Sequence, residues 1–232
     1  MCIAINSPKG TEPTKKALKE SFNNNPHGGG FAYAKDGFII VKKGYELFKD
    51  FYEDYKKANI QNINKLIHFR IKTSGKINYE NCHPFYVTTN LVMIHNGIIS
   101  NFGNSEVSDT REFISMVLKP IILKHGINIL NNETFVNTVS EIIGNSKLVF
   151  LDNKGNTYYI NKDLGHKNKG IWYSNDSYMS YTKYTPNNQF DYLSINESFC
   201  GDCSQIIDKS IDGKYCEYCT EYEPKYKGFH FS

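Results

Sequence analysis

Short runs of apolar residues alternate with four longer stretches of helical character along this chain. The opening MCIAINS reads as a strand. TEPTKKALKESF places helix formers behind a threonine cap. GGGFAYAKDGFIIVKKG gives two alternating runs about Asp36-Gly37, a hairpin signal. ELFKDFYEDYKKA sets Leu47, Phe48, Phe51, Tyr52 and Tyr55 on one side of a helix. NKLIHFRIK and TNLVMIHNG are expected strands. SDTREFISMVLKPIILKHG predicts a long helix, kinked or ended near Pro120. NETFVNTVSEII predicts another helix, and KLVFLDNKGNTYYIN a second hairpin about Lys154-Gly155. Strands, helix, strands, two helices and strands in that order make an α+β pattern, not a regular βαβ alternation. The polar, Pro- and Asn-bearing stretch TPNNQFDYLSINES separates a body from a short cysteine-rich end. The expected division is a domain over 1–185, a linker over 186–197 and a module over 198–232.

Composition narrows the classes. The chain has 232 residues, enough for one good core and a small appendage. A net charge of +3 is too small to argue for nucleic acid or an anionic membrane. No apolar run approaches the roughly 18 residues of a membrane span. No basic segment followed by an apolar stretch opens the chain, so the expectation is an intracellular, cytoplasmic protein.

Six cysteines are present, and Cys200, Cys203, Cys216 and Cys219 form a C-x2-C-x12-C-x2-C run. Two such knuckles suit a closed four-thiolate zinc site of structural type, as in a zinc ribbon. A disulfide pair or an iron–sulfur cluster are the alternatives. Asp202, Asp208, Asp212, Glu217, Glu221 and Glu223 argue against a phosphate-binding face on this module.

The body carries a second set of motifs. They are MCIAIN, NPHGGGFAY, HFRIKTSG followed by NCHPF, then MIHNGIISN and SDTREFI. In that order they resemble the glutaminase domain of class II glutamine amidotransferases, which are N-terminal-nucleophile hydrolases. The resemblance covers roughly residues 1–180. It implies a four-layer αββα sandwich of two antiparallel sheets. It also implies that L-glutamine is the substrate and that no cofactor serves the chemistry.

The residues suit that chemistry. Removal of Met1 would leave Cys2 with both a thiol and a free α-amine, a nucleophile and a proton shuttle on one residue. Such an amine has a reference pKa of about 7.7–8.0, suited to proton transfer near neutrality. The resemblance assigns an oxyanion site to the Asn96 side chain and the Gly97 N–H, at a strand end. Arg70 can grip an α-carboxylate through two parallel bonds. By the family pattern Thr73 helps hold the same end, Asp109 accepts from the α-ammonium, and His83 lies near the glutamine pocket. Asp109 also suits a helix cap, with Glu112 three residues on. Gly28, Gly29 and Gly30 match a loop whose backbone comes close to the catalytic cysteine. His68 and His95 read as structural. The sequence departs from the family where His27 stands near a usual acidic residue, Ile71 at a frequent aromatic, and Arg111 at a frequent glutamate.

The chain contains no large synthase segment. The expected function is therefore a glutaminase subunit that delivers ammonia to a partner synthase or ligase. An amidase acting on another amide, and a non-catalytic zinc-containing adaptor, are the alternatives.

Overall fold

A computed structural model of the chain describes residues 2–179, 197–199 and 206–208. The body contains two antiparallel sheets. The first takes β1 (Ile3–Ser7), β2 (Gly29–Lys35), β3 (Phe38–Tyr45), β4 (Lys65–Phe69), β9 (His166–Asn168) and β10 (Ile171–Tyr173), in the order β3-β2-β4-β1-β10-β9. The second takes β5 (Phe85–Thr88), β6 (Leu91–Asn96), β7 (Lys147–Asp152) and β8 (Thr157–Ile160) in sequence order.

Strand parity builds the layers. Ile3, Ile5, Ile67 and Phe69 pack with Leu18 and Phe22 of α1 (Lys15–Asn23) and with Phe51 and Tyr55 of α2 (Phe48–Lys57). Ala4, Ala32 and Leu66 face the other way, against Val92, Ile94, Val149 and Leu151 of the second sheet. Leu91, Met93, Leu148 and Phe150 then point outward, to Phe113 of α3 (Asp109–Phe113), Ile122 of α4 (Lys119–His125), and Val139 and Ile143 of α5 (Glu133–Ile143). The result is helices, sheet, sheet, helices: the expected αββα sandwich.

Local chemistry sets the ends. The Thr14 hydroxyl accepts from Ala17 N at 3.1 Å and starts α1; Asn132 Oδ1 accepts from Phe135 N at 2.9 Å and starts α5. Asp36 (φ 53°) and Gly37 (φ 80°) close the β2–β3 hairpin in the left-handed region that such a turn demands. The long helix does not break at Pro120. A π-helical turn over Ile114–Leu118 joins α3 to α4. That turn sits just ahead of a proline whose ring and missing N–H disfavour a regular α-helical bond there. The second hairpin is wider than a two-residue turn: Asp152 Oδ1 accepts from Lys154 N at 2.9 Å and Asn156 N at 2.8 Å.

No helix among the described residues is long and apolar enough to cross a membrane. Two further strands, β11 (Glu197–Phe199) and β12 (Ile206–Asp208), pair antiparallel with Ser198 opposite Ile207. Cys200, Cys203, Cys216 and Cys219 lie outside the described residues, and most of the expected linker does too.

Candidate active site

Parity also decides where the candidate residues point. Ala4 and Leu66 face the second sheet, so Cys2 and Arg70, two residues and four residues along the same faces, come to the edge of the inter-sheet layer. The last registered pair between the two strands is Ile3 with Phe69, which sets Cys2 beside the Arg70 turn. Asn96 shares its face of β6 with Ile94 and reaches toward them from the opposite sheet.

The Cys2 sulfur is held by one residue. Its S–H donates to Ile71 O at 3.2 Å, and Ile71 N–H donates to the sulfur at 3.3 Å. Burial pushes the thiol pKa up; the Ile71 N–H and the Arg70 charge oppose that shift, and Asp109 adds to it. The Cys2 carbonyl accepts from the Asn96 side-chain amide and, at 2.7 Å, from that of Asn175. Asn96 is fully buried, and its Oδ1 has no hydrogen-bond partner among the described residues.

Gly97 follows with φ +142°, and a Cβ there would run into Ser146. Only glycine fits this corner, which turns the chain off the end of β6. Ser146 in turn donates from its hydroxyl to Ile98 O at 3.0 Å.

Arg70 is buried, and its guanidinium donates to Ser74 O at 2.7 Å and Lys76 O at 2.9 Å. Those two bonds shape the turn after β4 and leave three of the five guanidinium N–H groups for other work. Thr73 is exposed on the same turn. Asp109 is not the helix cap. Ser108 fills that place, accepting from Arg111 N, and Asp109 is the first helical residue. Its carboxylate accepts from Ile99 N at 2.8 Å and Thr110 N at 2.7 Å, so it ties α3 to the segment after Gly97. Ser74 links the two charged residues: Asp109 N–H donates to its hydroxyl at 3.1 Å, while its carbonyl serves Arg70.

Three histidines stand behind this surface. His83 packs ring to ring on His68 with centroids 4.0 Å apart and on Phe85 at 4.3 Å. His68 Nε2–H donates to His95 O at 2.8 Å, and His95 Nδ1 meets the Thr110 hydroxyl at 2.8 Å. Burial pushes the His68 pKa down to about 3, and it also lowers His83 and His95. His83 thus belongs to a neutral buried cluster, and both its ring nitrogens lack partners among the described residues. Among those residues no group of three or more His, Cys, Asp or Glu is arranged to hold a metal ion.

The glycines make room for close packing on β2. A Cβ on Gly28 would strike the Cys82 sulfur, on Gly29 it would press the Phe69 ring at 3.0 Å, and on Gly30 it would strike the His83 carbonyl. They let the NCHPF segment lie down on β2. One residue here escaped the sequence reading. Asn175 follows β10, and nothing local marks it. Asn81 is fully buried and donates to Lys76 O at 3.1 Å and Glu106 O at 2.8 Å, bracing the Arg70 turn against the segment before α3.

No protein-family model matches the chain, and no curated protein matches it. Among solved structures the chain is similar to glutamine phosphoribosylpyrophosphate (PRPP) amidotransferase from B. subtilis, complexed with ADP and GMP. The TM-score is 0.48 at 16% identity, covering 75% of this chain and 41% of that chain. The chain thus spans less than half the length of that protein, and a likeness of this size carries no argument about activity.

Proposed function

We propose that the chain is a glutamine amidohydrolase whose nucleophile is Cys2 and whose ammonia passes to an acceptor on a partner protein. The observation that carries this reading is a convergence of three distant segments. A thiol near the chain start, a buried arginine turn and a strand-end Asn-Gly corner meet through Ile71 and the Cys2 carbonyl.

The chemistry follows from what each group can do. Burial raises the Cys2 thiol pKa, so a base must take its proton as it attacks. Once Met1 is removed, the α-amine of Cys2 is the nearest such base. The sulfur adds to the carboxamide carbon, and negative charge grows on the amide oxygen. The second N–H of the Asn96 amide and the Gly97 N–H are the donors for that oxygen; one such donor is worth about 3 kcal/mol. The amine returns the proton to the leaving nitrogen, ammonia departs, and a thioester remains. Water then attacks the thioester and releases glutamate.

Arg70 takes the α-carboxylate with its free N–H groups, with Thr73 beside it, and Asp109 accepts from the α-ammonium. His83 acts as a wall behind these groups. Gly29 and Gly30 contribute by letting that wall sit close. The C-x2-C-x12-C-x2-C run supports structural zinc at Cys200, Cys203, Cys216 and Cys219, in a module that serves docking.

The decisive test compares glutamine hydrolysis by Met1-processed protein with that of Cys2→Ala. The reading expects turnover in the first and none in the second, with intact mass showing loss of the initiator methionine. Activity that persists in Cys2→Ala, or in material that keeps Met1, overturns it. Metal analysis of the full chain tests the zinc assignment.

A further inference from the structure

The turn that brackets the Cys2 sulfur has a support that the reaction above does not use. His27 stands two residues before β2. Its backbone N–H donates to Arg70 O at 2.8 Å, and Arg70 N–H donates to Gly28 O at 2.8 Å. Lys72 N–H then donates to His27 Nδ1 at 2.9 Å. The imidazole therefore extends the β2–β4 ladder by one rung beyond the last strand residue, with a ring nitrogen standing where a backbone carbonyl would.

The residue enclosed between these rungs is Ile71. Arg70 is fixed on one side by two backbone bonds, and Lys72 on the other by the imidazole. Ile71 has its own N–H and C=O turned to the sulfur. If Lys72 were released, Ile71 could rotate about its backbone, and both contacts to Cys2 would move together.

We propose that His27 is a positioning residue that acts through Lys72 N–H to hold the Arg70–Ile71–Lys72 segment against the Cys2 thiol. This rests on the reading of Cys2 as the nucleophile. The role needs an acceptor at the δ1 position and nothing else from the ring. Asparagine carries an acceptor oxygen on the same carbon and so can replace it, whereas alanine and leucine cannot.

The test uses the full-length, Met1-processed chain with His27→Ala, His27→Asn and His27→Leu. Two quantities are measured: the rate of Cys2 alkylation by iodoacetamide, resolved by peptide mass with Cys82 as the internal reference, and kcat and KM for glutamine. Burial is the main cause that suppresses the thiol, so an opened turn exposes it. His27→Ala is expected to alkylate about fivefold faster at Cys2 while kcat falls by a similar factor, the effect of about one lost hydrogen bond. Cys82 should be unaffected. His27→Asn should return both quantities to within about twofold of wild type. His27→Leu fills the ring's volume without an acceptor and carries the comparison should His27→Ala unfold.

Wild-type behaviour in both acceptor-free variants overturns the proposal, as does a His27→Asn protein that matches His27→Ala. A wild type that hydrolyses no glutamine sinks the reading of Cys2 instead, and the alkylation pattern still decides whether His27 holds the turn.

Discussion

Asn175 donates from its side-chain amide to the Cys2 carbonyl at 2.7 Å, across 173 positions of sequence. The same carbonyl takes the Asn96 amide, so a donor from β6 and one from the segment after β10 fix the peptide between Cys2 and Ile3. Nothing else described holds the Cys2 backbone on that side. Asn175→Ala should therefore leave the fold intact and lower kcat about fivefold, since one hydrogen bond contributes about 1 kcal/mol. Steady-state kinetics beside a thermal melt check this; a wild-type kcat would refute it.

Gly97 is a position where no other residue fits. Its φ of +142° is strained for any side chain, and a Cβ would meet Ser146. Gly97→Ala should destabilise the chain by about 3 kcal/mol, the sum of backbone strain and overpacking. Adding Ser146→Gly should recover only part of the steric cost. The backbone of residue 146 still crowds the new Cβ, so urea denaturation of the single and double variants should show only partial recovery, and full recovery in the double variant would leave no role for φ.

Arg70→Lys should be far from conservative. A lysine has three donors, so one that bridged Ser74 O and Lys76 O could not also present the two parallel donors a carboxylate takes. Loss of about 1–2 kcal/mol of stability is expected, from charged-donor bonds left unmade in a buried place. KM for glutamine should rise by more than kcat falls. An amide substrate without a carboxylate should be turned over equally by both proteins. If Arg70→Lys slows that substrate as strongly as glutamine, the clamp assignment fails.

The histidine cluster predicts the direction of acid sensitivity. His68, His83 and His95 all have pKa values lowered by burial, His68 to about 3. In the unfolded chain each titrates near the ordinary value of about 6.5. Below that pH the unfolded state binds more protons than the folded one. The stability is therefore complete above about 6.5 and is lost as pH falls toward the folded values. Urea midpoints should be level between about pH 7 and 8 and decline from about 6.5 to 5.5. His83→Leu should make that decline shallower, and a decline of unchanged steepness would show that His83 takes no proton on unfolding.

The sequence made some of this legible and hid the rest for physical reasons. Asp36-Gly37, Thr14 and Asn132 act within a few residues of themselves, so turn and caps are visible in the letters alone. The unbroken apolar cores of KLIHF and LVMIHN likewise mark two strands, because each buries both faces in different layers. The three-residue strand Ile171–Tyr173 has no period to detect, and its place beside β1 depends on a partner far away in sequence. Asn175, which follows it, inherits that invisibility. In Ser108-Asp109 both side chains can cap a helix. Ile99 N decides between them by claiming the Asp109 carboxylate, a tertiary contact that local pattern does not contain. The close packing of Cys82 on Gly28 and of the His83 carbonyl on Gly30 depends on how the NCHPF segment crosses β2, which local pattern does not contain.

The layer between the sheets has a mechanical consequence. Cys2 and Arg70 ride on one sheet and Asn96 on the other, and the first sheet's share of the filling sets alanine at positions 4 and 32 beside Leu66, Ile39 and Trp172. That filling works as a spacer that sets the gap an incoming amide would have to bridge. A bulkier side chain at Ala4 or Ala32 would act like a shim. It would widen the mouth of the site from a distance, without touching any group that takes part in the reaction.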